Sequence, residues 1–494
     1  MPLERNFHVL YQLVAAGTTD PVTAGTPLPF RPATEFQYLS QSGRFTIDGI
    51  SDGKAWADTA SALSSLGVSD GARLEMMRLL CGVLHMGSLS FEDEPNDANY
   101  DASKLCSDAG SQEALRLVGD LWGVNPEALA KSLTVRTTKS RRNSTYSVGM
   151  TATKATQNRD ALAKAVYHRI FIFLVVTMNA QFVTATGAAP ADLRWIGLLD
   201  AFGFELLGRN SMEQLLINAT NELLQQFFLV CVMNAEAALY EAEQIPWTPI
   251  EYKDNAETIG LLLDKQHGLM HVLDEYTRLP NGTDERFAAR MMEQLQKAGH
   301  DQQYTAYSKP KKGAAETFRG STERRERTHR LIKALFTSKT PHFTVRHFAG
   351  EVCYETASWL DKNADTLFDD IRLRMLASDR PLLRQLFTED FELNLQELPP
   401  PDKKGKGPSS VISAPTICTR FSDDLDSLMK ELKLSTVHFV RCLKPNNELR
   451  PNAPDSSVLL DQLLFSGMLE AVQVRDRLNE SCGMKVCGRG TPPF

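Results

Sequence analysis

Residues 196–215 read IGLLDAFGFELLGRNSMEQL. An apolar run ends on Asp200, turns through Gly203 between Phe202 and Phe204, and reaches Glu205. Each of these residue types has a use beside a phosphate. In open α/β sheets ligands sit beyond the carboxyl ends of strands, and a carboxylate at such an end holds Mg²⁺ directly or through its water shell. A glycine lets the backbone come close enough for its N–H to reach a phosphate oxygen. A glutamate two positions on shuts a pocket by an ion pair or orients an attacking water. Taken alone, Asp-x-x-Gly is a weak signal, and an ordinary turn between a core strand and a helix is its commoner meaning.

The elements that must position these residues are legible on either side. Residues 192–200, DLRWIGLLD, have too little polarity for a surface strand and predict a central strand covered on both faces. After the loop, Ser211 and Gln214 form a capping box, serine at N-cap and glutamine at N3. Leu215, Ala219, Leu223 and Phe227 then step by four, and no glycine or proline intervenes before Pro246. The pattern predicts a helix of about 32 residues, roughly 48 Å long. A second buried strand is predicted over 437–443, ending in a Lys-Pro-Asn turn at 444–446.

Elsewhere, Phe7, Leu10, Tyr11 and Val14 mark one face of a weakly capped first helix. Helices are predicted at 57–66, at 70–86 with Gly87 as C-cap, and at 111–122 stopped by Gly123. Residues 135–150, with Lys139, Arg141 and Arg142, read as an exposed strand-loop-strand. Residues 158–182 read as a mostly buried helix, 257–275 and 284–298 as two helices joined by YTRLPNG, and 342–355 as paired strands around Ala349-Gly350. The stretch 321–330 is a charge run, and 398–410, LPPPDKKGKGPSS, is a flexible basic loop. No internal repeat is present.

Bulk properties exclude several classes. A hydrophobic content of 42% with 23% charged residues is that of an ordinary globular protein, and 494 residues suffice for about three domain-sized units. The net charge of −7 removes any global basic field for nucleic acid. Eight cysteines at scattered spacings form neither a disulfide framework nor a zinc pattern. Cys81, Cys231 and Cys442 lie in apolar runs and read as buried small hydrophobes in a reducing compartment. The N-terminus lacks a signal-peptide pattern. The most apolar window, 170–178, is far shorter than the roughly 20 residues that span a bilayer. These features predict a soluble intracellular protein without a membrane span.

The segment LLDAFGFE followed by NSMEQLLINATNELLQQFF resembles switch II and the relay helix of the myosin motor domain. So do ERNFHVLYQLVAAG (4–17), YLSQSGRFTIDGISD (38–52), RDALAKAVYHRIF (159–171), IPWTPIEYKDN (245–255), HFAGEVCYETASWLDKNAD (347–365) and HFVRCLKPN (438–446), in family order. The resemblance runs from Glu4 to about Arg477. It implies an α/β fold: a partial P-loop-NTPase-related motor core, mostly helical, with a fragment of the central sheet and two actin-binding subdomains. The implied layout is 1–191 upper actin-binding subdomain, 192–256 switch II with relay helix and loop, 257–400 lower actin-binding subdomain, 401–410 basic surface loop, 411–478 a strand and thiol-helix-like region, and 479–494 a divergent tail.

The resemblance also implies roles. Asp200 supports the Mg²⁺ shell, Gly203 touches the γ-phosphate, Phe202 lies among the nucleotide-binding positions, and Glu205 pairs with a switch I arginine. The cofactors implied are ATP and Mg²⁺. The partner implied is the actin filament, met by Lys403, Lys404 and Lys406 in the basic loop, by Arg141 and Arg142 in the upper-subdomain loop, and by the helix pair around 269–298. Ala201 departs from the family's usual isoleucine, and Phe465 and Arg475 stand at its usual thiol positions.

No G-x-x-x-x-G-K-[ST] string, the phosphate-cradling loop of this class, occurs in the 494 residues, nor does a switch I, converter, calmodulin-binding neck or coiled coil. Light chains or calmodulin would therefore bind only through a neck outside these residues. Two expectations follow: a partial record of an actin-based motor that couples MgATP hydrolysis to filament movement, in the cytoplasm with the cytoskeleton, or a non-catalytic pseudo-motor that binds actin only. In either case the isolated polypeptide is expected to lack actin-activated ATPase and to be poorly stable or prone to aggregate.

Overall fold

The computed structural model describes residues 5–17, 19–94, 102–139, 145–186, 194–244, 255–279, 281–297, 341–364, 367–388, 391, 416–446, 448 and 450–465. The chain divides into two compact units, 1–196 with 366–411, and 197–365 with 412–494. Both are mostly helical. Strands among the described residues form three antiparallel two-stranded ladders.

The first unit begins with α1 (His8–Ala16), whose N-cap Phe7 makes no side-chain cap bond, as its sequence predicts. Helices α2 (Asp52–Ser65) and α3 (Asp70–Met86) start where Ser51 and Ser69 hydroxyls accept the amides of Lys54 and Ala72. The short ladder β1 (Phe91–Asp93) with β2 (Ser103–Leu105) leads to α4 (Ala109–Trp122). Asp108 caps α4 at one end, and Gly123, left-handed at φ 58°, ends it at the other. Then follow α5 (Pro126–Thr134), capped by Asn125, and the hairpin β3 (Val135–Lys139) with β4 (Thr145–Gly149). The core lies between α3, α4 and α6 (Ala152–Thr186), around Met77, Leu79, Leu84, Trp122, Leu162 and Val166. Gly82 is where α3 meets the Trp122 indole: a Cβ there would stand 2.0 Å from its Nε1.

Helix α6 is ten residues longer than its sequence reading and only partly buried. Its first half inserts Asn158, Arg159, Leu162, Val166 and Ile170 into the core, while Phe171, Val176 and Phe182 are exposed. Its residues 152–182 are long and apolar enough to cross a membrane by length and composition alone, which the nine-residue window did not anticipate. The first half nevertheless packs as a core helix.

The second unit is organised on α7 (Met212–Ala242), 31 residues, close to the predicted length. The expected single helix over 257–275 is instead two, α8 (Ala256–Leu263) and α9 (Leu269–Arg278). The break is chemical: the Asp264 carboxylate accepts the amides of Gln266 and His267 at 3.0 and 2.7 Å, which turns the chain before Gly268. Helix α10 (Asp284–Lys297) follows, then β5 (His342–His347) and β6 (Gly350–Glu355), paired from His342↔Glu355 to His347↔Gly350 as the alternation predicts. Helices α11 (Trp359–Ala364), α12 (Ile417–Leu434) and α13 (Ser456–Phe465) complete the unit. Its core gathers Leu215, Ala219, Leu273, Phe287, Phe343, Tyr354 and Trp359.

The two predicted central strands are corrected. Residues 194–200 and 437–443 carry no ladder among the described residues, and their apolar side chains are solvent-exposed rather than covered, apart from the half-buried Val437 and Phe439. A strand exists only against a neighbour, and no described segment offers itself. Phe439 does rest on α7, with ring centroids 6.1 and 4.9 Å from Phe227 and Phe228. The Lys-Pro-Asn turn stands as read, with Asn446 accepting the Glu448 and Arg450 amides. Cys81 is buried, but Cys231 is half-buried and Cys442 exposed, because Cys442 lies on that unpaired segment. The stretch 321–330 lies outside the described residues.

Candidate functional site

The 200–205 loop is built from its two ends. Asp200, Ala201, Phe202 and Gly203 are exposed, and Phe204 and Glu205 half-buried. Among the described residues, its two chain neighbours aside, no atom comes within 4 Å of the place a Cβ would occupy on Gly203. The described residues therefore do not require glycine there; the demand read from the sequence would have to come from something bound against it.

Beyond Gly203 the loop is fastened to the start of α7. Asn218 grips both polar groups of the Glu205 peptide unit: its Oδ1 accepts the Glu205 N–H at 2.8 Å and its Nδ2 donates to the Glu205 carbonyl at 2.8 Å. One turn on, Asn221 Nδ2 donates to the Phe202 carbonyl at 3.0 Å. The Glu205 carboxylate accepts from Gln214 Nε2 at 3.3 Å. Gln214 also accepts the Ser211 amide at 2.9 Å, which is one half of the predicted capping box; the Ser211 hydroxyl instead accepts from Lys362 Nζ at 3.1 Å.

The far end of the loop is fixed to β6. Asn210 accepts the Leu207 amide and donates to the Cys353 carbonyl, its own carbonyl accepts the Glu355 amide at 2.9 Å, and Arg209 forms a two-pronged pair with the Glu355 carboxylate. Between these anchors Phe204 packs edge-on against His347 and Phe348, with centroids 5.3 and 5.6 Å away.

Sequence reasoning missed the residues beneath the loop. The apolar stripe Leu215–Ala219–Leu223–Phe227 is only half right: the buried face of α7 runs through Leu215, Asn218, Ala219, Glu222 and Gln225, whereas Leu223 and Phe227 are half-buried. Glu222 accepts from His347 Nδ1 and from the Phe348 amide, both at 2.9 Å, and from Asn255. Polar residues at 218, 222 and 225, in the spacing of a core-facing stripe, were the available signal. Their partners lie more than 100 residues away in sequence for His347 and Tyr354, and so could not be named from it.

Of the other sequence-predicted residues, Arg141 and Arg142, which follow β3 and precede β4 in sequence, lie outside the described residues. Lys403, Lys404 and Lys406 also lie outside them. The helix pair is present as α9 and α10, joined near Asp284, whose carboxylate accepts the Ser358 and Leu360 amides and is raised above the usual carboxylate range by burial. Among the described residues no three His, Cys, Asp or Glu side chains converge as a metal site.

The 200–205 loop is thus held by one long helix and fastened through Asn210 and Arg209 to a hairpin strand. The chain belongs to the myosin motor domain family: the family model described as Myosin head (motor domain) matches residues 1–478. It is 30% identical over 472 residues to a myosin-I heavy chain of Dictyostelium discoideum, covering 96% of this chain and 18% of that one. It is 31% identical to the human unconventional myosin-XV, covering 96% and 12%, and 31% identical to the rat unconventional myosin-Va, covering 95% and 24%. The chain thus spans less than a quarter of each of these relatives. The family is one of cytoskeletal, actin-based motors with a P-loop-NTPase-related fold that use ATP and Mg²⁺.

Proposed function

We propose that this chain is the part of a myosin heavy-chain head that senses the terminal phosphate of MgATP and passes the signal to a relay helix. The observation that carries the reading is the double grip of Asn218 on Glu205, which ties the loop to a 31-residue helix. A displacement of the loop by an ångström or so is then communicated to the whole helix, because a long packed helix moves as a unit. The exposed Asp200 carboxylate would hold Mg²⁺ through its water shell. Gly203 has the open space a phosphate needs, Phe202 lies beside it, and the Glu205 carboxylate is oriented by Gln214. In the complete motor, ATP and Mg²⁺ supply the cleavable phosphate and its charge neutralisation; these residues bind, orient and exclude.

The partner of the same reading is the actin filament, met by Lys403, Lys404, Lys406, Arg141, Arg142 and the α9–α10 pair. The reading places the protein in the cytoplasm with the cytoskeleton, with no membrane span and no nucleic acid, and light chains or calmodulin on a neck beyond residue 494. Residues 1–494 by themselves are proposed to hydrolyse no ATP, since the string G-x-x-x-x-G-K-[ST] does not occur among them. The second reading is a non-catalytic pseudo-motor that only binds actin.

Phosphate release by the full-length heavy chain tests the choice. Glu205→Ala is expected to lower actin-activated release by about 100-fold or more, the scale for removing one group that acts on the transition state. Filament binding that persists without any phosphate release in the unsubstituted protein would establish the pseudo-motor instead. For the lysines, co-sedimentation with filamentous actin is expected to weaken as salt rises, since exposed charges are screened over about 8–10 Å. Neutralising Lys403, Lys404 and Lys406 together should flatten that salt dependence, and unchanged pelleting would remove them from the interface.

A further inference from the structure

Beneath the loop, four fully buried side chains form a single line: Glu222, His347, Tyr354 and Asn218. His347 Nδ1 lies 2.9 Å from Glu222 Oε1, His347 Nε2 lies 2.8 Å from the Tyr354 hydroxyl, and Asn218 Nδ2 donates to that hydroxyl at 2.9 Å.

One set of bond directions satisfies every polar atom of this line, and its Asn218 end is fixed by the Glu205 peptide. Asn218 has spent its Oδ1 on the Glu205 amide and one Nδ2 hydrogen on the Glu205 carbonyl, so the second Nδ2 hydrogen goes to Tyr354 oxygen. Tyr354, accepting there, donates its own hydrogen to His347 Nε2. In this arrangement a neutral His347 carries its ring hydrogen on Nδ1 and donates it to the Glu222 carboxylate. Reversing the Asn218 amide would set its oxygen against the Glu205 carbonyl and its NH₂ against the Glu205 N–H. With no solvent in reach, each polar atom in the line depends on the next.

We propose that Tyr354 and His347 are positioning residues that act through Asn218: they lock its amide in the one orientation that clamps Glu205, and so couple the 203–205 loop to the β5–β6 hairpin. The functional consequence rests on reading that loop as the phosphate sensor; the mechanical coupling does not.

Hydrogen exchange of individual amides in the full chain, without nucleotide, tests the coupling. Tyr354→Phe keeps the ring but leaves an Asn218 hydrogen and His347 Nε2 unpartnered. The Glu205 amide is then expected to exchange about tenfold faster, the scale of one buried hydrogen bond left unmade. The Leu207 amide, held by Asn210, and the β5–β6 amides should keep their rates. His347→Leu should mimic Tyr354→Phe, whereas His347→Gln, which can accept from Tyr354 and donate to Glu222, should stay within about twofold of the unsubstituted protein. Unchanged Glu205 exchange in Tyr354→Phe overturns the proposal, as does acceleration spread equally over the hairpin, which would mean general loosening. Adding ATP to the unsubstituted full-length protein separates the two ideas. If Tyr354→Phe loosens Glu205 but ATP alters no amide from Gly203 to Glu205, the phosphate reading fails and the coupling stands.

Discussion

His85 and Asp108 show how single side chains set the acid limit of the first unit. His85 is buried, with Nε2 2.9 Å from the Pro29 carbonyl and its ring edge-on to Phe36, and burial lowers its pKa from the ordinary value of 6.5. Asp108 accepts the Ser111 amide as the cap of α4, and that bond holds its carboxyl below the ordinary 3.8. Both groups are depressed in the folded state. Each therefore contributes stability above its unfolded pKa and loses it as pH falls through the folded value. The thermal midpoint should drop in two stages, one below about pH 6.5 and one below about pH 4. His85→Gln is expected to remove the first stage and keep the second; Asp108→Asn, which still caps, should do the reverse. Thermal melts between pH 3 and 8 check this, and a His85→Gln protein that still shows the first stage would assign it elsewhere.

At the scale of elements, two helix-interior glycines that look alike in sequence have opposite meanings. Gly82 in α3 faces Trp122, whose indole donates to the Leu79 carbonyl and would lie 2.0 Å from an added Cβ. Gly260 in α8 has nothing within 4 Å. Gly82→Ala should destabilise by about 1–3 kcal/mol, because overpacking a rigid core outweighs the helix preference for alanine. Gly260→Ala should stabilise by up to about 1 kcal/mol, where only that preference acts. Denaturant melts of the two variants check both signs. The contrast also marks what could be read in advance. Local chemistry was legible: Gly123 ends α4, Gln214 caps α7, and Ala349-Gly350 turns the hairpin. What depends on partners distant in the chain was not. Asn218 and Glu222 sit in an apolar stripe as polar residues because His347 and Tyr354 meet them, and 192–199 reads as a covered strand although no described segment covers it. The loop could be found from Asp200, Gly203 and Glu205, but the side chains that hold it could not.

For the molecule as a whole, the apolar residues left outside are more consequential than those inside. Ile196 and Leu198 are 94% and 96% exposed and Val440 84%, on segments whose backbone carries no ladder. Trp195 and Phe202 are exposed beside them, and Phe171, Val176 and Phe182 on α6. Covering one such aliphatic side chain is worth about 1.5–3 kcal/mol, and an unpaired apolar strand segment is a template for pairing with another chain. Residues 1–494 expressed on their own are therefore expected to self-associate, with the weight-average mass in sedimentation rising with concentration. Ile196, Leu198 and Val440 belong to neither core, so replacing all three by lysine should raise the monomer fraction without lowering the melting temperature. Two results would go against this: a monomer at all concentrations before substitution, or a triple variant that associates as strongly as its parent. The first would mean that these segments find cover within the chain, the second that association runs through the apolar half of α6, where Phe171→Lys and Phe182→Lys would then be the variants that restore the monomer.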